Sequence, residues 1–320
     1  SRLAVALMPR EFRRSFGLVR DEDTDVLLDA SGFAFGDQHP PERTIQFAER
    51  VEAAKQSGKH VVLLPQALGP FEIPAIRSAF ARVVDAADLV FARDDTSMRH
   101  AREAAGSAAH LRQAPDFTNL IAPHGSTDSD ASRRATIVPN QRMIDKAETQ
   151  DEAAAYVPLM NMCIEAVAEA GLEPVLLVHE ADDDTLAARI QERAEREVPI
   201  RQSPDPVALK RFLGGSHLVV GSRFHALVGA LSQGVPAIGT SWSHKYERLF
   251  EEYRCPDMLV SVSASRERVQ ACVSAAVGEQ RAPLTNRIRT AAAQLKQKTE
   301  SMWRAVDDLV FGATSPERAE

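Results

Sequence analysis

The pattern that most constrains this chain is alternation. Short runs rich in Val, Leu and Ile recur from end to end, and most are followed by a helix-like stretch. Strand-like runs occupy 3–7, 25–29, 61–64, 89–92, 135–140, 174–179, 217–220 and 258–261. Helical patterns cover 41–57, 74–87, 151–170, 182–197 and 266–277, and 283–311 reads as one long final helix or two. Apolar strands separated by helices are the pattern of parallel α/β layers. Open sheets of that kind bind ligands outside the carboxyl ends of their strands. The residues just after each run are therefore the ones to weigh for chemistry.

One segment breaks the alternation. Residues 122–134 hold Pro, Gly, three Ser, one Thr and two Asp with no apolar period, the composition of a linker. At 320 residues the chain has room for two domains. The expected division is an N-terminal lobe over 1–130, a C-terminal lobe over 131–282, and a final helical segment over 283–320 that packs back on the first lobe.

Charge and cysteine usage exclude several classes. A net charge of −7 argues against nucleic acid as the partner. Cys163, Cys255 and Cys272 are widely spaced without a C-x-x-C, so neither a zinc site nor a disulfide framework is indicated. No metal-ligand spacing appears elsewhere, and no metal or cofactor is expected. No apolar run approaches the roughly 18 residues of a membrane span, and no signal peptide is visible. The expected setting is the cytoplasm, with peripheral association with a membrane left open. The chain opens on Ser1 directly before the run 3–7, and residues upstream of it are expected to be missing.

The richest strand end is Gly221-Ser222-Arg223-Phe224-His225-Ala226-Leu227, after the run 217–220 and before a helix that Gly234-Val235-Pro236 stops. Ser222 is expected to cap that helix. Arg223 and His225 then fall in the first turn, where free amides and the helix dipole favour an anion. A bound anion would offset two cationic groups there; a structural salt bridge of Arg223 is the competing reading. Other strand ends carry Arg93, Arg142 and Lys245, which suit carboxylate or phosphate. Asp29, Asp37 and Gln66 stand at the ends of the early runs and suit sugar hydroxyls; Asx-turn and loop-bracing roles compete. Asp95 is expected to cap the helix after Arg93, and Asp94 or Asp116 to be a salt-bridge alternative for that arginine.

Taken together these segments resemble the polysaccharide pyruvyl transferase family. The resemblance rests on 221–227, on Leu231-Ser232-Gln233-Gly234-Val235-Pro236, on Ser243-His244-Lys245, and on the ordered earlier pieces 64–71, Ala92-Arg93-Asp94 and Pro115-Asp116. It implies a GT-B-like fold of two Rossmann-like parallel-sheet lobes facing a cleft. It also implies transfer of a pyruvyl group from phosphoenolpyruvate to sugar hydroxyls in exopolysaccharide or cell-envelope biosynthesis, with release of phosphate. On that pattern Arg93, Arg142, Ser222, Arg223, His225 and Lys245 bind the donor. His225 and Arg223, with Asp29 or Asp37 as base, carry the chemistry. Asp29, Asp37 and Gln66 meet a sugar or lipid-linked glycan acceptor. The chain departs from the pattern at Ala30-Ser31-Gly32, where members often carry Gly-Gly, and at His244, where proline is common. Two other functions fit the same residues: a nucleotide-sugar glycosyltransferase of this fold, and a non-catalytic carbohydrate-binding relative.

Overall fold

A computed structural model describes residues 8–18, 20, 23–121, 133–240 and 244–312. The chain divides into two compact units, Ser1–Phe117 with Lys298–Glu320, and Thr118–Gln297. The expected first strand at 3–7 and most of the expected linker lie outside the described residues.

The first unit begins with a short helix α1 (Arg10–Ser15) and builds a parallel sheet in the order β1-β2-β3-β4. Its strands are β1 (Val26–Asp29), β2 (His60–Gln66), β3 (Leu89–Ala92) and β4 (Leu111–Gln113). Helices α2 (Pro41–Gln56), α3 (Pro74–Ala86) and α4 (Asp95–Ala105) connect them. The period-two rule of a strand sorts β2 cleanly. Val61 and Leu63 join one core with Ile76, Phe80 and Val83 of α3, which lie on a single helical stripe. Val62 and Leu64 join the opposite core, which Met302 and Val306 complete. Those two residues belong to α12 (Arg281–Phe311), one continuous helix. Each such side chain, fully buried, contributes about 1.5–3 kcal/mol before its ordering cost. Helix α4 is capped by Asp94, whose carboxylate accepts from Ser97 N at 2.7 Å. Asp95 is instead the first helical residue, one position from the expected cap.

The second unit holds six parallel strands: β5 (Arg134–Val138), β6 (Glu173–Val178), β7 (Ile200–Gln202), β8 (Leu218–Gly221), β9 (Ala237–Thr240) and β10 (Leu259–Val260). Its helices are α5 (Arg142–Asp145), α6 (Gln150–Glu169), α7 (Asp184–Arg193), α8 (Pro206–Gly214), α9 (Phe224–Leu231), α10 (His244–Glu252) and α11 (Arg266–Val277). The strand order is β10-β9-β8-β5-β6-β7. The chain starts at the centre, winds outward through β6 and β7, then returns beside β5 and winds the other way. This is the doubly-wound order 3-2-1-4-5-6, and the direction reverses between β5 and β8. Val138 of β5 lies in register with Gly221 of β8, so both strands deliver their next residues to one crevice. A side chain at 221 would crowd Val138, its Cβ falling 3.2 Å from the valine's; glycine lets the two strands close.

Candidate functional site

The crevice at the reversal point is built from three strand ends. From β5 come Asn140 and Arg142, from β6 His179, Glu180 and Asp183, and from β8 Ser222, Arg223 and His225. The strands that carry them are apolar and buried, which fixes where the polar residues emerge.

Beneath the crevice runs a hydroxyl network. Tyr156, fully buried on α6, donates from its hydroxyl to Ser222 Oγ at 2.7 Å and accepts from Asn140 N at 3.0 Å. Burial pushes this phenol upward from its usual range, so it stays a neutral hydroxyl. Ser222 Oγ also bonds Thr240 Oγ1 on the neighbouring strand. The Ser222 carbonyl accepts from Asn140 Nδ2 at 2.6 Å and from Tyr246 Oη at 2.7 Å. The expected capping role of Ser222 is therefore overturned. Its hydroxyl is drawn into this network, and Arg223, which occupies the cap position of α9, makes no capping bond with its own side chain.

Above the network lies Arg223, 7% exposed. Its Nε and Nη2 donate to the two oxygens of Asp183 at 2.7 and 2.6 Å, and its Nη1 lies 2.6 Å from Glu180 Oε2. Asp183 has no exposed surface and also accepts from Gln141 N at 2.9 Å. Burial, the largest single effect, would lower the guanidinium, but the hydrogen bonds and charge of Asp183 together with the charge of Glu180 hold Arg223 above its usual range. The bidentate fork thus meets an internal carboxylate. Glu180 differs, because its side chain is 53% exposed and can be displaced at low cost.

His179 stands beside this pair. Burial lowers its imidazole to about 4, the nearby His225 and Arg223 charges adding to the effect and Asp183 opposing it. It is neutral near pH 7, and its Nδ1 is buried without a hydrogen-bond partner among the described residues. His225 is exposed in the first turn of α9, near the edge of the Phe224 ring. Arg142 is half exposed and lies 4.0 Å from Asp145, a loose pair. Its amide accepts order from Asn140 by donating to that side chain's Oδ1 at 2.9 Å. The side chain of Lys245 lies outside the described residues.

The first unit gathers a smaller group. Gln66, fully buried at the end of β2, donates to Asp29 Oδ2 at 2.9 Å, and Ser31 Oγ lies 2.8 Å from the same oxygen. Asp37 is elsewhere: its carboxylate accepts from Glu72 N at 2.7 Å and Ile73 N at 3.3 Å, bracing the approach to α3. Arg93 is buried with Nη1 3.5 Å from Asp116 Oδ2, the salt-bridge partner foreseen as one alternative.

Sequence reasoning brought Arg142, Ser222, Arg223 and His225 to one place but missed Asp183, His179, Glu180, Tyr156 and Asn140. His179 and Glu180 did carry a signal, since they follow an apolar run as Arg223 does. Among the described residues no group of His, Cys, Asp and Glu is arranged to hold a metal, and no helix is long and apolar enough to cross a membrane.

Comparison with solved structures agrees on the architecture. A protein from Listeria monocytogenes assigned as a UDP-N-acetylglucosamine 2-epimerase aligns over 99% of this chain and 80% of its own, with TM-score 0.58 and 11% identity. Anabaena HepE in complex with UDP-glucose aligns over 91% and 80%, with TM-score 0.54 and 13% identity. MnaA of S. aureus with UDP aligns over 87% and 81%, with TM-score 0.55 and 11% identity. At such identities the likeness establishes the fold alone, a GT-B-like pair of Rossmann-like lobes. No curated protein sequence matches. The family model for polysaccharide pyruvyl transferases does match, over residues 4–244, and the chain belongs to that family.

Proposed function

We propose that this chain transfers a pyruvyl group from phosphoenolpyruvate to hydroxyls of a sugar in a polysaccharide or lipid-linked glycan precursor, and releases phosphate. One observation supports this most: in a member of this family, the β8–α9 turn sets Arg223 and His225 at a helix N-terminus, at the reversal point of a doubly-wound sheet. No metal or cofactor is assigned a part.

In the proposed reaction the donor's carboxylate or phosphate takes Glu180's place on Arg223 Nη1, while Asp183 keeps the rest of the guanidinium fixed. On the family pattern Arg142 and Lys245 add charge for the donor, and Arg93 is the first unit's donor residue. His225 supplies a proton to the methylene carbon, which becomes the methyl group and leaves the central carbon electrophilic. A sugar hydroxyl forms a bond to that carbon and gives up its proton. The carbon–oxygen bond to phosphate breaks, and phosphate leaves with the electron pair, stabilised by the cationic groups. Addition of a second hydroxyl closes a ketal, and its proton leaves on phosphate. Asp29, braced by Gln66, is the candidate base and acceptor contact; Asp37 is set aside because two backbone amides already occupy it.

The fair test uses His225→Ala, at an exposed position, and Arg223→Lys, which keeps Asp183 paired but loses the bidentate fork. His225→Ala should retain the wild-type melting profile, Arg223→Lys should stay folded at the assay temperature, and both should lose phosphate release from phosphoenolpyruvate in the presence of glycan acceptors. Near-normal release in both sinks the assignment. Structural neighbours bound to UDP-glucose or UDP favour a second reading, a nucleotide-sugar glycosyltransferase. Turnover of a UDP-sugar with no response to phosphoenolpyruvate selects it.

A further inference from the structure

A cavity of about 630 Å³ opens beyond the carboxyl ends of β6 and β7 in the second unit. Its size falls in the roughly 300–1,000 Å³ of small-molecule sites. Pro204, Pro206 and Leu209 form an apolar wall, and His179, Glu180 and Gln202 supply polar groups. Among the described residues no lysine or arginine lines it, so a phosphate or carboxylate finds no cationic side chain there. Neutral, flat-faced and hydroxylated is the chemistry that remains. A pyranose ring has one face of C–H groups to lie on proline and leucine, and an edge of hydroxyls to meet carboxylate, amide and imidazole. His179 lines the cavity as a neutral imidazole. A neutral imidazole can donate to a hydroxyl or accept from it.

The cavity also adjoins the anion site. Glu180 both lines it and pairs with Arg223 Nη1 at 2.6 Å. We propose that this cavity is a sugar subsite, seating a pyranose ring of the acceptor glycan beside the Arg223 turn, with His179, Glu180 and Gln202 as its hydroxyl partners. The proposal rests on the pyruvyl-transfer reading for its acceptor, but the cavity's preference for a neutral sugar can be measured without turnover. It also gives Glu180 two roles in order. The carboxylate guards Arg223 while the site is empty, and turns to a sugar hydroxyl when the donor displaces it.

The experiment is ligand-observed saturation-transfer NMR on the full chain, with methyl β-glycosides of glucose, galactose and N-acetylmannosamine, and with uridine. Ser203→Trp fills the cavity from the β7 side, and Gln202→Ala removes one exposed polar partner without adding bulk. Thermal stabilisation by phosphoenolpyruvate checks fold and donor site in each variant. The expected result is saturation of at least one glycoside's ring protons, reduced about tenfold in Ser203→Trp and weakened in Gln202→Ala, with the phosphoenolpyruvate shift unchanged. In turnover the acceptor KM should rise by a similar factor while donor KM stays put. Three outcomes overturn the proposal: no glycoside binds, binding survives Ser203→Trp, or uridine binds in preference. Wild-type protein that binds a glycoside in this cavity yet never releases phosphate from phosphoenolpyruvate sinks the pyruvyl-transfer reading and leaves the sugar subsite standing. Turnover with an acceptor KM indifferent to Ser203→Trp does the reverse.

Discussion

Removing Asp183 should cost this protein more than removing any exposed group at the crevice. Asp183 is fully buried and compensates Arg223, which is itself 7% exposed. In Asp183→Ala the guanidinium loses two charged hydrogen bonds and Gln141 N loses its acceptor. Breaking a buried ion pair by deleting one partner costs about 3–5 kcal/mol, because the other charge stays buried. Glu180 remains 2.6 Å from Nη1 and offsets part of this, so the lower end, about 3 kcal/mol, is expected. At roughly 2–4 °C per kcal/mol for a domain of this size, the melting temperature should fall by about 6–12 °C.

A double-mutant cycle separates the charge effect from simple loss of packing. Arg223→Met removes the cation but keeps much of the side chain's length. Asp183→Ala combined with Arg223→Met should therefore be more stable than Asp183→Ala alone, with a coupling of at least about 2 kcal/mol by urea denaturation. Activity should follow geometry: below its melting transition, Asp183→Ala should lose about a hundredfold in kcat/KM, the scale of a misplaced positioning group. A loss of stability under about 1 kcal/mol in Asp183→Ala, or no recovery in the double variant, would refute the view that Asp183 holds Arg223 in place.

Two further predictions concern charge around the same pair. His179 sits at about 4 in the folded chain against an ordinary 6.5, so between those values the unfolded chain binds the extra proton. Stability present at pH 7 should be lost as pH falls through this window, by up to roughly 3 kcal/mol, and His179→Gln should flatten that slope in urea midpoints taken from pH 7 to pH 4. Glu180→Gln removes the carboxylate that competes with an anion for Arg223 Nη1, so phosphoenolpyruvate affinity measured calorimetrically should tighten by up to about fivefold; unchanged or weaker binding counts against displacement of Glu180.

Which parts of this site were legible in the sequence depends on range. Strand ends were legible because burial on both faces writes a continuous apolar run, and the residue after it is then placed by counting. Arg142, Arg223 and His225 were found that way. The same rule reaches His179 and Glu180, but neither belongs to a local motif that singles it out. Asp183 had no such mark. It lies in the run Asp182-Asp183-Asp184, and only tertiary structure selects the middle one to face Arg223, 40 positions away. Tyr156 reads in sequence as one more apolar residue of a helix; its hydroxyl matters only because α6 brings it to the residues that follow β5 and β8. Capping failed for a related reason. Ser222 and Asp95 both have good capping chemistry, yet neighbours decide: Thr240 and Tyr156 claim the serine hydroxyl, and Asp94, one residue earlier, reaches Ser97 N.

Read locally, two cationic groups at a helix N-terminus call for an external anion. The folded chain supplies its own answer for one of them: Asp183 neutralises Arg223 from within, and Glu180 adds a second carboxylate. What remains for a ligand is the guanidinium edge that Glu180 covers, the N-terminal end of α9 and the exposed His225. On the proposed function, an anion site so arranged would be preorganised, because Asp183 fixes the fork before any ligand arrives, and guarded, because Glu180 must move. A donor with one negative group would gain little over Glu180. One carrying both a carboxylate and a phosphate can displace it and still leave charge for the helix amides, which is why the arrangement favours a small polyanion over a simple carboxylate.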